Sequence, residues 1–154
     1  MYYSPLTSDY LYSIETQYLR VNPANDVLAS QRTSNNVMNL GQRGGNANGF
    51  AGDSNGAIYV LMPEKNAIII YNTTTLQGEA YIWNPQIIWP DSANVGYDGY
   101  VDFNINQLPY QPDWTDLRQY PGVILRSKLP KNGTISPVLG AVSMVRNRGS
   151  INTL

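Results

Sequence analysis

The chain has no cysteine and no histidine. The first absence excludes disulfide staples, zinc–thiolate sites and thiol catalysis together, and leaves the compartment open because many large secreted folds also lack bridges. The second removes the commonest general base, the usual imidazole metal sites and every Ser-His or Cys-His nucleophile pair. Charge is scarce too: 14% of the 154 residues are Asp, Glu, Lys or Arg, against roughly 25% in an average soluble protein. With 10 basic and 11 acidic side chains and no long basic run, there is no footprint for a phosphate backbone, and nucleic acid is not an expected partner. No apolar stretch nears the roughly 20 residues of a membrane helix, the densest being Ala67 to Tyr71, so a bilayer span is not expected either. Residues Met1 to Arg20 lack the charged start and apolar core of a secretory signal, so the signal of a secreted protein would lie upstream.

What is present is strand, turn, strand. Short runs of β-branched and aromatic residues are bounded by Gly, Asn, Asp and Pro, and helix has little support. Ala57 to Met62 and Ala67 to Thr73 flank Pro63-Glu64-Lys65-Asn66, a connection of hairpin length, which predicts two neighbouring antiparallel strands. Both runs are continuously apolar, as expected where other sheets cover both faces. Glu79 to Trp83 reads as a third, outer strand.

The unit recurs. Asp53-Ser-Asn-Gly56 leads into Ala57 to Met62, and about 45 residues later Asp98-Gly99 leads into Tyr100 to Ile105 and then Gly122 to Leu129. A third copy opens the chain with Tyr2 to Leu6, a turn at Thr7-Ser8-Asp9, and Tyr10 to Ile14. Such a period, with about four short strands per unit, marks propeller blades. The expected fold is therefore all-β, a partial propeller of two to three four-stranded antiparallel blades over residues 1–134, followed by a C-terminal tail at 135–154 whose structure stays open. Asn22 to Asn48 and Tyr110 to Tyr120 read as long surface loops. Because such a partial ring leaves apolar faces and strand edges uncovered, self-association that closes the propeller is an expected partner interaction.

Three ordered stretches resemble the Yellow / major royal jelly family. They are Tyr2-Tyr-Ser-Pro-Leu-Thr-Ser8 with Leu11-Tyr-Ser-Ile-Glu-Thr16 and Leu19-Arg20; Leu40-Gly-Gln-Arg-Gly-Gly45 with Asp53, Gly56, Asn66-Ala-Ile68 and Tyr71-Asn72; and Trp89-Pro-Asp91 with Asp98-Gly99-Tyr100, Asn106, Leu108-Pro109 and Val123-Ile-Leu-Arg126. The resemblance implies a larger secreted six-bladed propeller of which this chain is the C-terminal part. It also implies a ligand site. In the amine-binding branch of the family an Asn in the third stretch, here Asn106, lies at the mouth of the central channel, and the residue two positions on is often aromatic. Here that residue is Leu108, which cannot hold an ammonium group by cation–π attraction. Asp91 falls on the same stretch and would supply a charge at the pocket mouth. The ordinary alternative for Asn106 and Asp91 is that each shapes a turn beside a proline.

Other candidates read as structural. Gly41, Gly44, Gly45 and Gly49 lack the Lys-Ser or Lys-Thr and the helix of a phosphate-cradling loop, and so read as turn residues. Asp53 and Asp98 read as turn formers, and no metal or other cofactor is expected. Asn72-Thr73-Thr74 and Asn132-Gly133-Thr134 match the N-glycosylation pattern, with Asn132 the better acceptor because Asn72 falls at a strand end. The tyrosines, with Trp83, Trp89 and Trp114, read as packing between sheets. The leading functional expectation is a binder of a small aromatic or amine-like molecule. The alternatives are a tautomerase of the dopachrome-conversion type and a truncated product without activity of its own. A tautomerase must take a proton from carbon, and only carboxylates or tyrosines are on hand for that, with no paired carboxylates visible, so enzymic activity is left undecided.

Overall fold

The computed structural model describes residues 1–110 apart from Pro23 and Ser54, residues 123–130, and the backbone of 143–146 and 150–153. Twelve strands form three antiparallel sheets. The first holds β1 (Tyr2–Tyr3), β2 (Tyr10–Ser13) and β3 (Met38–Gln42) in sequence order. The second holds β4 (Gly49–Gly52), β5 (Ala57–Met62), β6 (Ala67–Asn72) and β7 (Gln77–Trp83). The third is a five-stranded meander of β8 (Pro90–Val95), β9 (Tyr100–Ile105), β10 (Val123–Lys128), β11 (Ser143–Arg146) and β12 (Ser150–Thr153). The described residues are thus all-β apart from one short α-helix, α1 (Ala29–Asn35).

The second sheet carries both cores. Because side chains alternate across a strand, Tyr59 and Leu61 of β5 share a face with their register partners Ile70 and Ile68 of β6. That face meets Val101, Phe103, Ile105 and Leu125 of the third sheet. The opposite face, with Ile58, Val60, Met62 and Tyr71, packs on Leu11 and Leu40 of the first sheet. The uninterrupted apolar run of β5 is explained by this double coverage. Each fully buried Ile or Leu here is worth about 1.5–3 kcal/mol of transfer free energy.

The predicted hairpin is present. Ala57 pairs with Asn72 through to Met62 with Ala67, and the connection is a 3-10 turn at Pro63–Lys65 ended by Asn66 in the left-handed region at φ 49°. The expected outer strand is there as β7, beginning two residues earlier than the sequence suggested. The segment read as a loop from Asn22 to Asn48 differs. It contains α1 and β3, for two local reasons. Asp26 accepts from the Leu28 N–H at 3.0 Å and pairs with Arg32 at 3.0 Å, which starts the helix, and β3 brings Leu40 over the second sheet. The Tyr110 to Tyr120 loop lies almost wholly outside the described residues, as does Trp114. From the tail, β11 pairs with β10 and β12 with β11, extending the third sheet.

Sequence-distant backbone is clamped by one cation. Arg43 is 3% exposed; its guanidinium donates to the carbonyls of Ser8 and Tyr10 and stands over the Phe50 ring at 5.6 Å. Burial lowers its pKa, with Asp9 acting in the opposite direction.

Strands β4 and β8 begin at the same end of their sheets, hereafter the opening end, where the Asn84 N–H donates to the Asn66 carbonyl at 3.1 Å and the Asn66 amide to Ile87 at 2.9 Å. The two strands touch there. A Cβ on Gly49 would overlap the carbonyl oxygen of Asp91 and press on Leu61. Gly49→Ala should therefore cost about 1–3 kcal/mol by overpacking, read as a lower urea midpoint with unchanged slope, whereas Gly52→Ala, which meets only the Ala57 carbonyl at 3.9 Å, should cost less.

Candidate functional site

At the opening end of the third sheet the backbone takes two unusual steps. Trp89, just before β8, and Gln107, just after β9, both have positive φ, at 53° and 55°. Neither is a glycine, and such a conformation costs on the order of 1 kcal/mol per residue. The strain is held by pairing: the Asn106 N–H donates to the Trp89 carbonyl at 3.3 Å and the Gln107 N–H to Ile88 at 3.4 Å. A register shift between Pro90 and Ala93 leaves Asp91 and Ser92 on a bulge, where bulges re-aim side chains.

This arrangement unites the three residues singled out from the sequence. The Asn106 amide donates to the Asp91 carboxylate at 3.2 Å, while its carbonyl oxygen accepts from the Leu108 N–H at 2.9 Å. Asn106 thus closes the turn that the ordinary reading gave it, and its amide also contacts the Asp91 carboxylate at the open end of the two strands. Leu108 begins a 3-10 turn (Leu108–Tyr110) and is 46% exposed. At the same end lies a cleft of about 260 Å³, walled by Ile88, Ile105 and Leu125 among others, with Gln86, Gln107 and Tyr110 as polar members. Gln107, 6% exposed, had no signal in the sequence, because its burial follows from the positive-φ step after β9.

The opposite end is built of turns. The Asp53 carboxylate accepts from the N–H groups of Asn55 and Ala57 at 2.9 and 3.0 Å and from the Tyr59 hydroxyl at 3.2 Å, the turn role read from the sequence. Asp98 pairs with Arg126 at 3.1 Å. Arg126 also makes a two-pronged contact with Asp102, at 2.6 and 2.9 Å, and lies 5.0 Å over the Tyr100 ring. The hydrogen bond to Asp102 is the main cause that raises its pKa. Of the glycines read as turn residues, Gly44, φ 93°, lies in a bend whose carbonyl accepts from Lys65 of the opening-end turn, whereas Gly41, φ 89°, lies inside β3 where its register with β2 shifts and Gly49 opens β4. Among the described residues no group of three acidic side chains could hold a metal.

The expected aromatic packing holds only in part: Tyr59 and Tyr71 are 1% and 0% exposed and Tyr59 meets Tyr81 edge-on at 5.6 Å, whereas Tyr2, Tyr10, Tyr97, Tyr110 and Trp83 are exposed, because they stand on outer faces, turns and strand ends that no second sheet covers. Burial raises the hydroxyl pKa of Tyr59, Tyr71 and Tyr81, with Asp53 adding to the rise at Tyr59. These phenols stay protonated at neutral pH and cannot serve there as bases. Asn72 is exposed at the end of β6, its side-chain oxygen accepting from the N–H groups of Thr74 and Thr75 at 2.8 and 3.0 Å. Asn132 lies outside the described residues.

Fold and site together define an all-β chain of stacked antiparallel sheets with a polar pair at one strand end. The family model described as major royal jelly protein matches residues 1–82, more than half of the chain, and the protein belongs to that family. The match covers the first two sheets and stops short of Asp91, Asn106 and Leu108. No curated protein matches the chain.

The raised tyrosines set an alkaline limit. A tyrosine whose folded pKa lies above its unfolded value stabilises fully below the unfolded value, near 10, and the contribution is lost as pH climbs from there through the folded value. Urea stability is expected to fall between pH 9 and 11, with a shallower fall in Tyr59→Phe.

Proposed function

We propose that the protein is part of a secreted β-propeller of the major royal jelly type that binds a small aromatic or amine-like molecule at the opening end of its sheets, beside Asp91 and Asn106. The observation that carries this reading is the 3.2 Å contact between the Asn106 amide and the Asp91 carboxylate on an exposed strand end. A carboxylate presented there is the partner that an ammonium group would take by a charge-assisted hydrogen bond. The neighbouring apolar cleft matches the general form of a small-ligand site, mostly apolar with a few fixed polar groups.

The propeller reading is supported by the stacking of three meandering sheets through two apolar interfaces, and by the shared direction of the leading strands β4 and β8. A ring of six such blades, with the channel mouth at the opening end, is what family membership suggests. Leu108 tunes the ligand. It offers contact area but no π face, so affinity for a cation rests on Asp91, and an aromatic ring on the ligand would be held by packing alone. For secretion, the exposed Asn72 in its Asn-Thr-Thr setting is the acceptor within the described residues. Expression through a eukaryotic secretory pathway should add a glycan mass that Asn72→Gln and Asn132→Gln together remove.

Tyramine is a suitable probe, being an aromatic amine. Calorimetry is expected to show saturable binding that weakens about tenfold or more in Asn106→Ala and Asp91→Asn, a loss of at least about 1.4 kcal/mol, and tightens severalfold in Leu108→Phe. Binding that ignores all three substitutions would move the site elsewhere, and no heat at all would leave the amine reading without support.

A further inference from the structure

The end built of turns carries a second cleft, remote from the one beside Gln107. Register partners Ala57, Asn72 and Gln77, and two residues along Tyr59, Ile70 and Glu79, share the face of the second sheet that meets the third. Tyr81 ties this face to Ser127 and Lys128, and past that tie a cleft of about 110 Å³ opens between the sheets. Tyr59 and Ile70, both buried, are its floor. Pro130, just after β10, is its wall on the side of the third sheet. Asp53 and the exposed Asn55, Gln77 and Glu79 stand round its rim.

None of the described residues that line the cleft is basic, so an anion would find no counter-charge. Carboxylates and amide oxygens are acceptors, which suits a ligand rich in hydroxyl and N–H donors, and hydrogen bonds to a carboxylate are the stronger kind. Asp53 is already engaged by Asn55, Ala57 and Tyr59. The side chains of Gln77 and Glu79 make no hydrogen bond with another described residue.

Which donor-rich group arrives there is decided by Asn72, a lining residue of the cleft and the first residue of the Asn72-Thr73-Thr74 acceptor pattern. Its side-chain oxygen is held by the N–H groups of Thr74 and Thr75 at 2.8 and 3.0 Å. That fixes the amide and leaves its nitrogen, the atom that receives a sugar, without a hydrogen bond to another described residue.

We propose that this cleft seats the first N-acetylglucosamine of a glycan on Asn72, with Glu79 and Gln77 taking its hydroxyl and acetamido groups and Pro130 packing on the ring. In glycosylation the amide nitrogen replaces a lipid diphosphate at the anomeric carbon of the sugar and gives up one proton. The sugar is then tethered beside the cleft, so its effective concentration is high and weak contacts suffice to seat it. A seated sugar bridges the second sheet to the third at the end where the cleft separates them. The inference rests on the secretory reading above, and uses two sheets that both lie within this chain.

The test uses the full chain expressed through a eukaryotic secretory pathway, with peptide mapping by mass spectrometry to read Asn72 and Asn132 separately. A sugar seated about nine-tenths of the time offers its linkage to a peptide N-glycosidase about a tenth as often. Release from Asn72 of the native protein should therefore speed up about tenfold in a Gln77→Ala, Glu79→Ala variant, while after denaturation the two chains are cut alike. A second measurement needs no change in the cleft. In an Asn132→Gln background, trimming the glycan to its first sugar should leave the urea midpoint in place, above that of the same chain made in bacteria without sugar. Equal native release rates, or equal midpoints for the trimmed and bare chains, mean that the glycan swings free and overturn the proposal. A bare Asn72 beside an occupied Asn132 overturns it and leaves the secretory reading standing; with both bare, the two fall together.

Discussion

The second sheet is apolar on both faces, and neither face can be left in water. On β5 alone, Ile58, Val60 and Met62 look one way and Tyr59 and Leu61 the other, all at 3% exposure or less. Exposing either set would forfeit several kcal/mol, more than half the net stability of many domains. The first and third sheets are positioned as the two covers of this one, and the rest of the architecture follows. Arg43 ties the first cover to the connection that enters β4. Tyr81, whose hydroxyl donates to the Lys128 carbonyl and lies 3.1 Å from Ser127, ties the third.

The covers differ in their outer faces. On β9 the inward residues Val101, Phe103 and Ile105 are buried, while Tyr100, Asp102 and Asn104 alternate with them, and Arg126 gathers Asp98, Asp102 and Tyr100 there. On the first sheet the face away from Leu11 carries Tyr12, stacked on Tyr3 at 5.6 Å, and Tyr10, whose hydroxyl meets Gln42 at 3.2 Å. Both outer faces are polar or amphipathic, unlike the two inner interfaces. The apolar driving force is therefore concentrated around one sheet instead of being spread evenly along the stack.

Legibility in the sequence followed the same division. The β5–β6 hairpin could be read because two continuous apolar runs flank a proline-led turn, and double coverage could be inferred from their lack of alternation. Strand β3 could not: Met-Asn-Leu-Gly-Gln offers a single buried residue, Leu40, and its pairing is set by β2 across a long intervening segment. The seven residues of α1, Ala-Ser-Gln-Arg-Thr-Ser-Asn, have no apolar period, and the Asp26 contact that precedes the helix lies outside them. Arg43 sits in a glycine-rich, polar stretch that reads as surface, and the carbonyls it holds lie more than thirty residues away. The site residues were reached through the family resemblance; their contact depends on the β8 bulge and on positive φ at Trp89 and Gln107, which side-chain type does not announce.

The contact between Gly49 and the Asp91 carbonyl separates two roles that usually compete at one residue. What locates position 91 is its main chain, wedged against a neighbour that has no side chain; what faces outward at that position is the carboxylate. Substitution there can change the chemistry presented at the strand end without disturbing the seam between sheets, so the frame can persist while the group presented on it changes. Descendants of such a fold would keep the glycine and diversify opposite it.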